Sequence, residues 1–145
     1  MREQQGALLA QRLPTIALGF HARADYLDRR GTPATLADLA AHDLIGFDAE
    51  TPALRAMLAH LPGIHRGSFA LRTDSNLAQL AAVRAGFGIG LCQVTLARHD
   101  PALVRVVEDV TFPLPLWIAM HEDLKTSARY RLVFDTLGDA LRNLA

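Results

Sequence analysis

The sequence predicts a mixed α/β fold, and three observations predict it. Short apolar, strand-like runs alternate with helical segments; glycine and proline punctuate the joins; and half of the 145 residues are apolar. A chain of this length can bury one ordinary core or two small ones.

TIALGF (15–20), bounded by Pro14, reads as a strand. ARADYLDRRG follows, its Tyr26, Leu27 and terminal Gly31 suggesting a short helix that stops at glycine. TPATLADLAAHD (32–43) offers Thr35 or Thr32 as N-cap, Pro33 early, and Leu36, Leu39 and Ala40 on one helical face; LIGF (44–47) then reads as a strand. The same alternation continues with TPALRAMLAHLPG (51–63), a helix stopped by Pro62 and Gly63, and SFALRTD (68–74), an alternating strand. Ser75 opens the helix SNLAQLAAVRAG, IGLCQ is a strand, and TLARHD makes a single turn. LVRVVED (103–109) alternates as a strand, and the proline-punctuated TFPLPL (111–116) leads into the strand LWIAMH (116–121). The closing segment ARYRLVFDTLGDALRNLA (128–145) predicts an amphipathic helix with an apolar stripe of Leu132, Val133, Thr136, Leu137, Ala140, Leu141 and Leu144.

The stretch AAVRAGFGIGLCQ (81–93) places Gly86, Gly88 and Gly90 within five positions. A phosphate-binding glycine loop runs from strand to helix, so that the N–H groups of a helix N-terminus meet the phosphate. Here the helix precedes the strand. Gly86 is therefore expected to end the helix, and Gly88 and Gly90 to enter a crowded, buried strand.

Fifteen basic and fifteen acidic residues cancel, with no run of either sign, which argues against a chain that by itself binds nucleic acid or a membrane surface. The single cysteine, Cys92, excludes an internal disulfide and sits in an apolar strand as an expected buried thiol. MREQQGALLAQRLP lacks the pattern of a signal peptide, and no apolar run reaches the length of a membrane span, so a cytoplasmic protein is expected. The six histidines are scattered; His60 and His65 are separated by Pro62 and Gly63, so no zinc site is expected. No G-x-S-x-G elbow occurs, and no enzyme activity, metal or cofactor is expected.

Three blocks taken together, ALLAQRLPTIALGFHARADYLDRRGTPATLADLAAHDLI, RTDSNLAQLAAVRAGFGIGLCQ and PLWIAMHEDLKTSARYRLVFDTLGDAL, resemble the C-terminal part of the effector-binding domain of LysR-type transcriptional regulators. The resemblance covers almost the whole chain. It implies a two-lobed α/β domain like the type 2 periplasmic binding proteins, with a small molecule held between the lobes. On that basis residues 1–110 are expected to form the second lobe, complete from about Leu13 to Val110. Residues 111–145 are expected to form the returning strand and helix of an incomplete first lobe. The winged helix-turn-helix of such regulators has no counterpart here, so DNA is expected as a partner only through that separate domain.

Ligands of open α/β sheets gather at the carboxyl ends of strands, beside helix N-termini. The expected ligand-binding residues are therefore Arg23 after the first strand, Phe47 and Asp48 after LIGF, Thr73, Asp74 and Ser75 after SFALR, and Gln93 at the end of IGLCQ. Asp74 and Ser75 are equally ordinary capping residues, and Gln93 stands where the family usually has proline. The expected function is a ligand-sensing module for a small effector carrying an anionic group. The alternatives are a solute-binding protein of the same fold, a stand-alone ligand-binding remnant, or a small α/β enzyme. A homodimer is expected, because LWIAM is apolar on both faces and, with the last helix, would leave a large patch bare.

Overall fold

A computed structural model describes residues 7–143. These group into two compact units: the described residues of Met1–Ile16 and Pro113–Ala145 form one, and Ala17–Phe112 the other. Of the residues grouped on sequence with the segment up to residue 110, the described residues 7–16 gather with the C-terminal segment.

Strand β1 (Leu8–Arg23) has 16 residues, well beyond the six of the expected TIALGF, and runs straight through Pro14. In the second unit it pairs antiparallel with β4 (Gly90–Gln93) on one side, Leu18 opposite Gln93 and His21 opposite Gly90. On the other side it pairs antiparallel with β5 (Leu103–Arg105), Arg23 opposite Leu103. β2 (Leu44–Gly46) and β3 (Phe69–Arg72) pair parallel, and a parallel bridge from Leu44 to Ile89 ties β2 to the approach of β4. β5 ends well short of the expected residue 109, because Val107 takes a positive φ of 49°, which an extended strand does not accommodate.

The helices follow their caps. α1 (Ala24–Arg30) ends at Gly31, whose φ of 83° lies in the region that side chains avoid. Tyr26 and Leu27 are its buried pair. The Tyr26 hydroxyl donates to His42 Nδ1 at 3.2 Å and accepts the Asp43 amide at 3.0 Å, which locks the YL and AHD segments together. Burial, and then the charge of Arg30, hold the His42 pKa below the ordinary histidine value, in keeping with a ring that accepts this hydrogen bond. Between them the expected helix 32–43 shrinks to a 3-10 turn, Ala37–Ala41. Asp38 Oδ2 accepts the amides of Ala34 at 3.0 Å and Thr35 at 2.8 Å, so the segment begins as a side-chain-closed turn rather than as helix. α2 (Pro52–Leu58) is capped by Thr51, whose hydroxyl accepts the Leu54 amide at 3.1 Å. α3 (Asn76–Arg84) is capped by Ser75, and α4 (Val94–Ala97) is a single turn after β4. Past α3, Gly86 has φ 73° and closes the helix, as expected. A Cβ on Gly88 would strike the Asp43 carbonyl, so the glycine run serves close packing of β4 against the start of β2.

Side chains alternate across this sheet and divide the core. Phe20, Ala22, Tyr26, Leu39, Leu44, Leu61, Ile64 and Ile89 fill one side, with Phe112 edge-on to Phe20 at 6.2 Å. Ile45, Val83, Cys92 and Ala97 pack the other side beneath α3 and α4. Burial pushes the Cys92 thiol up to about 11, which makes it an inert core group.

In the first unit β6 (Phe112–His121) pairs with β1 and takes the prolines of TFPLPL into the strand. The Glu122 amide donates to the Ala7 carbonyl at 2.8 Å. α5 (Ala128–Arg142) buries Phe134 and Gly138. That is not the expected stripe: Leu132, Val133 and Leu137 are exposed by 68%, 52% and 49%, and Trp117 by 58%. Leu144 of that stripe lies outside the described residues.

Candidate functional site

The parallel pairing of β2 and β3 ends level, with Gly46 opposite Arg72, so the segments that follow leave the sheet side by side. The Thr73 amide donates to the Gly46 carbonyl at 3.0 Å and continues the ladder by one step. Asp74 then reaches across: its Oδ1 accepts the amides of Asp48 at 3.0 Å and Ala49 at 2.9 Å. Arg66 holds Asp48 from the other side, Nε on the backbone carbonyl and Nη2 on Oδ1, each at 2.6 Å, with Arg72 Nε 3.8 Å from the same carboxylate. Five of the seven expected residues, Phe47, Asp48, Thr73, Asp74 and Ser75, therefore form one cluster.

Inside that cluster most of the polar groups serve the loops themselves. The Thr73 hydroxyl accepts the Ser75 amide at 3.2 Å, and the Ser75 hydroxyl caps α3 on the Ala78 amide at 3.2 Å. Gln79, only 5% exposed, donates from Nε2 to the Thr73 carbonyl at 2.6 Å. The amides that an anion would need at this point are largely satisfied by Asp74, Thr73 and Ser75. Positive charge at the edge comes instead from Arg66 and Arg72. Phe47 is half-buried and lines a small apolar cavity of about 20 Å³ with Met57, Leu61, Phe69 and Gln79, room for about one water.

Gln93 ends β4, which runs in the direction of β2, so it emerges at the same edge of the sheet, exposed, with no capping hydrogen bond from its side chain. Arg23 does not join it. β1 continues through His21, Ala22 and Arg23, where a loop is expected, and runs against β4, so its carboxyl end lies beside the beginnings of β4 and β5. At that opposite edge Arg23 pairs with Asp25 at 3.3 Å and donates to the Arg84 carbonyl at 3.2 Å. The rule that strand ends gather at one edge holds for parallel strands, and β1 is the antiparallel one. The residues that the sequence reading missed are Arg66, Arg72 and Gln79. Gln79 had a legible signal, one helical turn after the Ser75 cap; Arg66 had none, because its partner Asp48 is 18 residues away.

Among the described residues no group of three or more His, Cys, Asp or Glu side chains could hold a metal ion, and no helix is long and apolar enough to cross a membrane.

Residues 1–142 match the family described as LysR substrate binding domain. Among solved structures, the chain is similar to the regulatory domain of CrgA, a LysR-type transcriptional regulator from Neisseria meningitidis. The identity is 23%, the TM-score 0.74, and the match covers 97% of this chain and 72% of that one. A second structure of CrgA, from the same organism, matches at 21% identity and a TM-score of 0.73, covering 96% of this chain and 49% of that one. The Synechocystis PCC6803 CcmR regulatory domain in complex with 2-PG matches at 17% identity and a TM-score of 0.63, covering 99% and 71%. No match is found among curated proteins. These likenesses show that the mixed α/β fold described above is the fold of LysR regulatory domains. With a family match that runs across nearly its whole length, the chain belongs to the LysR substrate-binding-domain family, the non-enzymatic effector-binding module of LysR-type transcription regulators.

Proposed function

We propose that this chain senses a small-molecule effector at the sheet edge where β2, β3 and β4 end, with Phe47, Asp48, Thr73, Asp74, Ser75 and Gln93 as its contacts. The observation that carries the reading is the cross-tie of Asp74 to the Asp48 and Ala49 amides, which holds two loops in register at the strand ends. Arg66 and Arg72 suit an effector with an anionic group, because either guanidinium can exchange its hold on Asp48 for a ligand carboxylate or phosphate. The CcmR regulatory domain, in its complex with 2-PG, is a relative with a small bound molecule. Residues 17–112 correspond in this reading to the complete second lobe, and the smaller unit to part of the first. DNA recognition is assigned to parts of the regulator that CrgA has beyond the matched half of its chain.

A thermal-shift screen of small metabolite anions on the purified chain tests this reading, since a ligand specific for the native state raises the melting temperature. A hit whose stabilisation persists in both Gln93→Ala and Arg72→Ala would move the site elsewhere. The bare apolar side chains of the smaller unit, Trp117, Leu132, Val133 and Leu137, support a two-fold homodimer through that surface. Light scattering that finds a monomer at micromolar concentration would overturn the dimer.

A further inference from the structure

The opposite side of β1 from Phe20 carries a second cavity, of about 280 Å³, roofed by α4 and bounded by β5. Its apolar wall is Val94 and Leu103; its polar groups are His21, Arg98, Arg105 and Glu108. None of these belongs to the site proposed above. His21 is 3% exposed, and its Nδ1 lies 2.8 Å from the Gly19 carbonyl. A carbonyl only accepts, so Nδ1 carries the proton and Nε2 of the neutral ring is a lone-pair acceptor. Burial and the nearby Arg105 charge both favour that neutral ring. The Arg105 guanidinium is held by Nη2 on the Glu108 carbonyl at 2.9 Å and on the Thr111 hydroxyl at 2.8 Å. Its buried Nε has no hydrogen-bond partner. Gly19 leaves the space for it, since a Cβ there would stand 3.0 Å from Nε. A buried donor left unsatisfied is costly; because this nitrogen is sealed from solvent, Arg105 meets the cavity with its charge and not through Nε.

We propose that this cavity binds an aliphatic carboxylate bearing an amino or hydroxyl group. The ligand carboxylate faces the Arg105 and Arg98 charges that line the cavity. Its amino or hydroxyl hydrogen meets the His21 nitrogen and the Glu108 carboxylate, two acceptors that a plain carboxylate leaves unpaired. Its hydrocarbon part lies on Val94 and Leu103. Calorimetry of the full chain with leucine, 2-hydroxy-4-methylpentanoate and 4-methylpentanoate, molecules of nearly one shape, tests the pairing. Leucine or the hydroxy acid is expected to bind saturably and at least tenfold more tightly than 4-methylpentanoate, and to shift the His21 ring nitrogen resonances. Arg105→Gln is expected to weaken that ligand at least tenfold. Arg98→Ala, at an exposed position that leaves the fold intact, is expected to weaken it severalfold with an unchanged melting temperature. Equal affinity for all three compounds, absence of saturable binding, or binding that leaves the His21 resonances unmoved would overturn the proposal.

Discussion

Replacing Asp74 by alanine removes the acceptor that both the Asp48 and Ala49 amides use, at 3.0 and 2.9 Å. A hydrogen bond to a charged group contributes about 1.5–3 kcal/mol, and a neutral one about 0.5–1.5 kcal/mol. Asp74 is exposed, so water replaces part of both bonds when the carboxylate is removed. Two bonds at the neutral value sum to about 1–3 kcal/mol, and replacement by water puts the expected destabilisation in the lower part of that range, about 1–2 kcal/mol. Urea unfolding should show it as a lower midpoint with an unchanged m-value. The local signature is sharper: amide exchange at Asp48 and Ala49 should accelerate by about the factor of 5–30 that this energy represents, with the amides of β1 changed only by the global loss. Asp74→Asn keeps Oδ1 as an acceptor and should retain most of the protection. If Asp48 and Ala49 exchange at the wild-type rate in Asp74→Ala, the cross-tie is not what orders the loop, and the site built on it loses its frame.

Tyr26→Phe deletes the hydroxyl shared by His42 and the Asp43 amide and should cost about 1–3 kcal/mol in urea unfolding, since it leaves a partly buried donor unmet; a loss under about 0.5 kcal/mol would place that link outside the fold's support. Gly86→Ala forces a side chain into φ 73° and toward Asp25 Oδ1 at 3.1 Å, a cost of about 1–2 kcal/mol, read as a lower melting temperature. His21 and His42 both have folded pKa values below 6.5, so the unfolded chain takes up their protons first; stability should be full above pH 6.5 and fall as the pH drops through that value. The carboxyls of Asp38 and Glu122, held below 3.8 and 4.5 mainly by hydrogen bonds from Thr35 and Lys125, add a separate loss only below those values. A stability that is flat in pH-dependent denaturation from 7 to 5 would contradict the histidine assignment.

Local chemistry was legible wherever the partner was close in sequence. The short helix around Tyr26 and Leu27, Gly31 and Gly86 as helix stops, Ser75 as a cap and the helix-to-strand order that excludes a phosphate loop all depend on neighbours within about one helical turn. What the sequence concealed was non-local. Arg23 looked like a strand-end residue, and its displacement from the cluster follows from the direction of β1 relative to β4, a pairing some 70 residues apart that no local pattern encodes. The proline-punctuated stretch reads as a lead-in to the strand LWIAMH, yet the strand itself begins at Phe112 and runs through both prolines. On α5 the apolar residues outnumber the places that receive them, so Phe134 and Gly138 form the buried pair while Leu132, Val133 and Leu137 stay outside. Arg66 and Arg105 act through contacts with Asp48 and Thr111, and neither partner is announced by spacing.

Cys92 turns the larger unit into its own gauge. A thiol with a pKa near 11 is thiolate in about one molecule in ten thousand at pH 7, and the 4% exposure of the residue denies reagents even that fraction. A disulfide reagent therefore reacts at a rate set by how often the β4 layer parts from α3 and α4, and with no second cysteine in the chain every modified molecule reports the same event. Any compound that clamps this unit should slow the labelling in proportion to its occupancy, so one colour-forming reaction ranks candidate ligands without knowledge of where they bind.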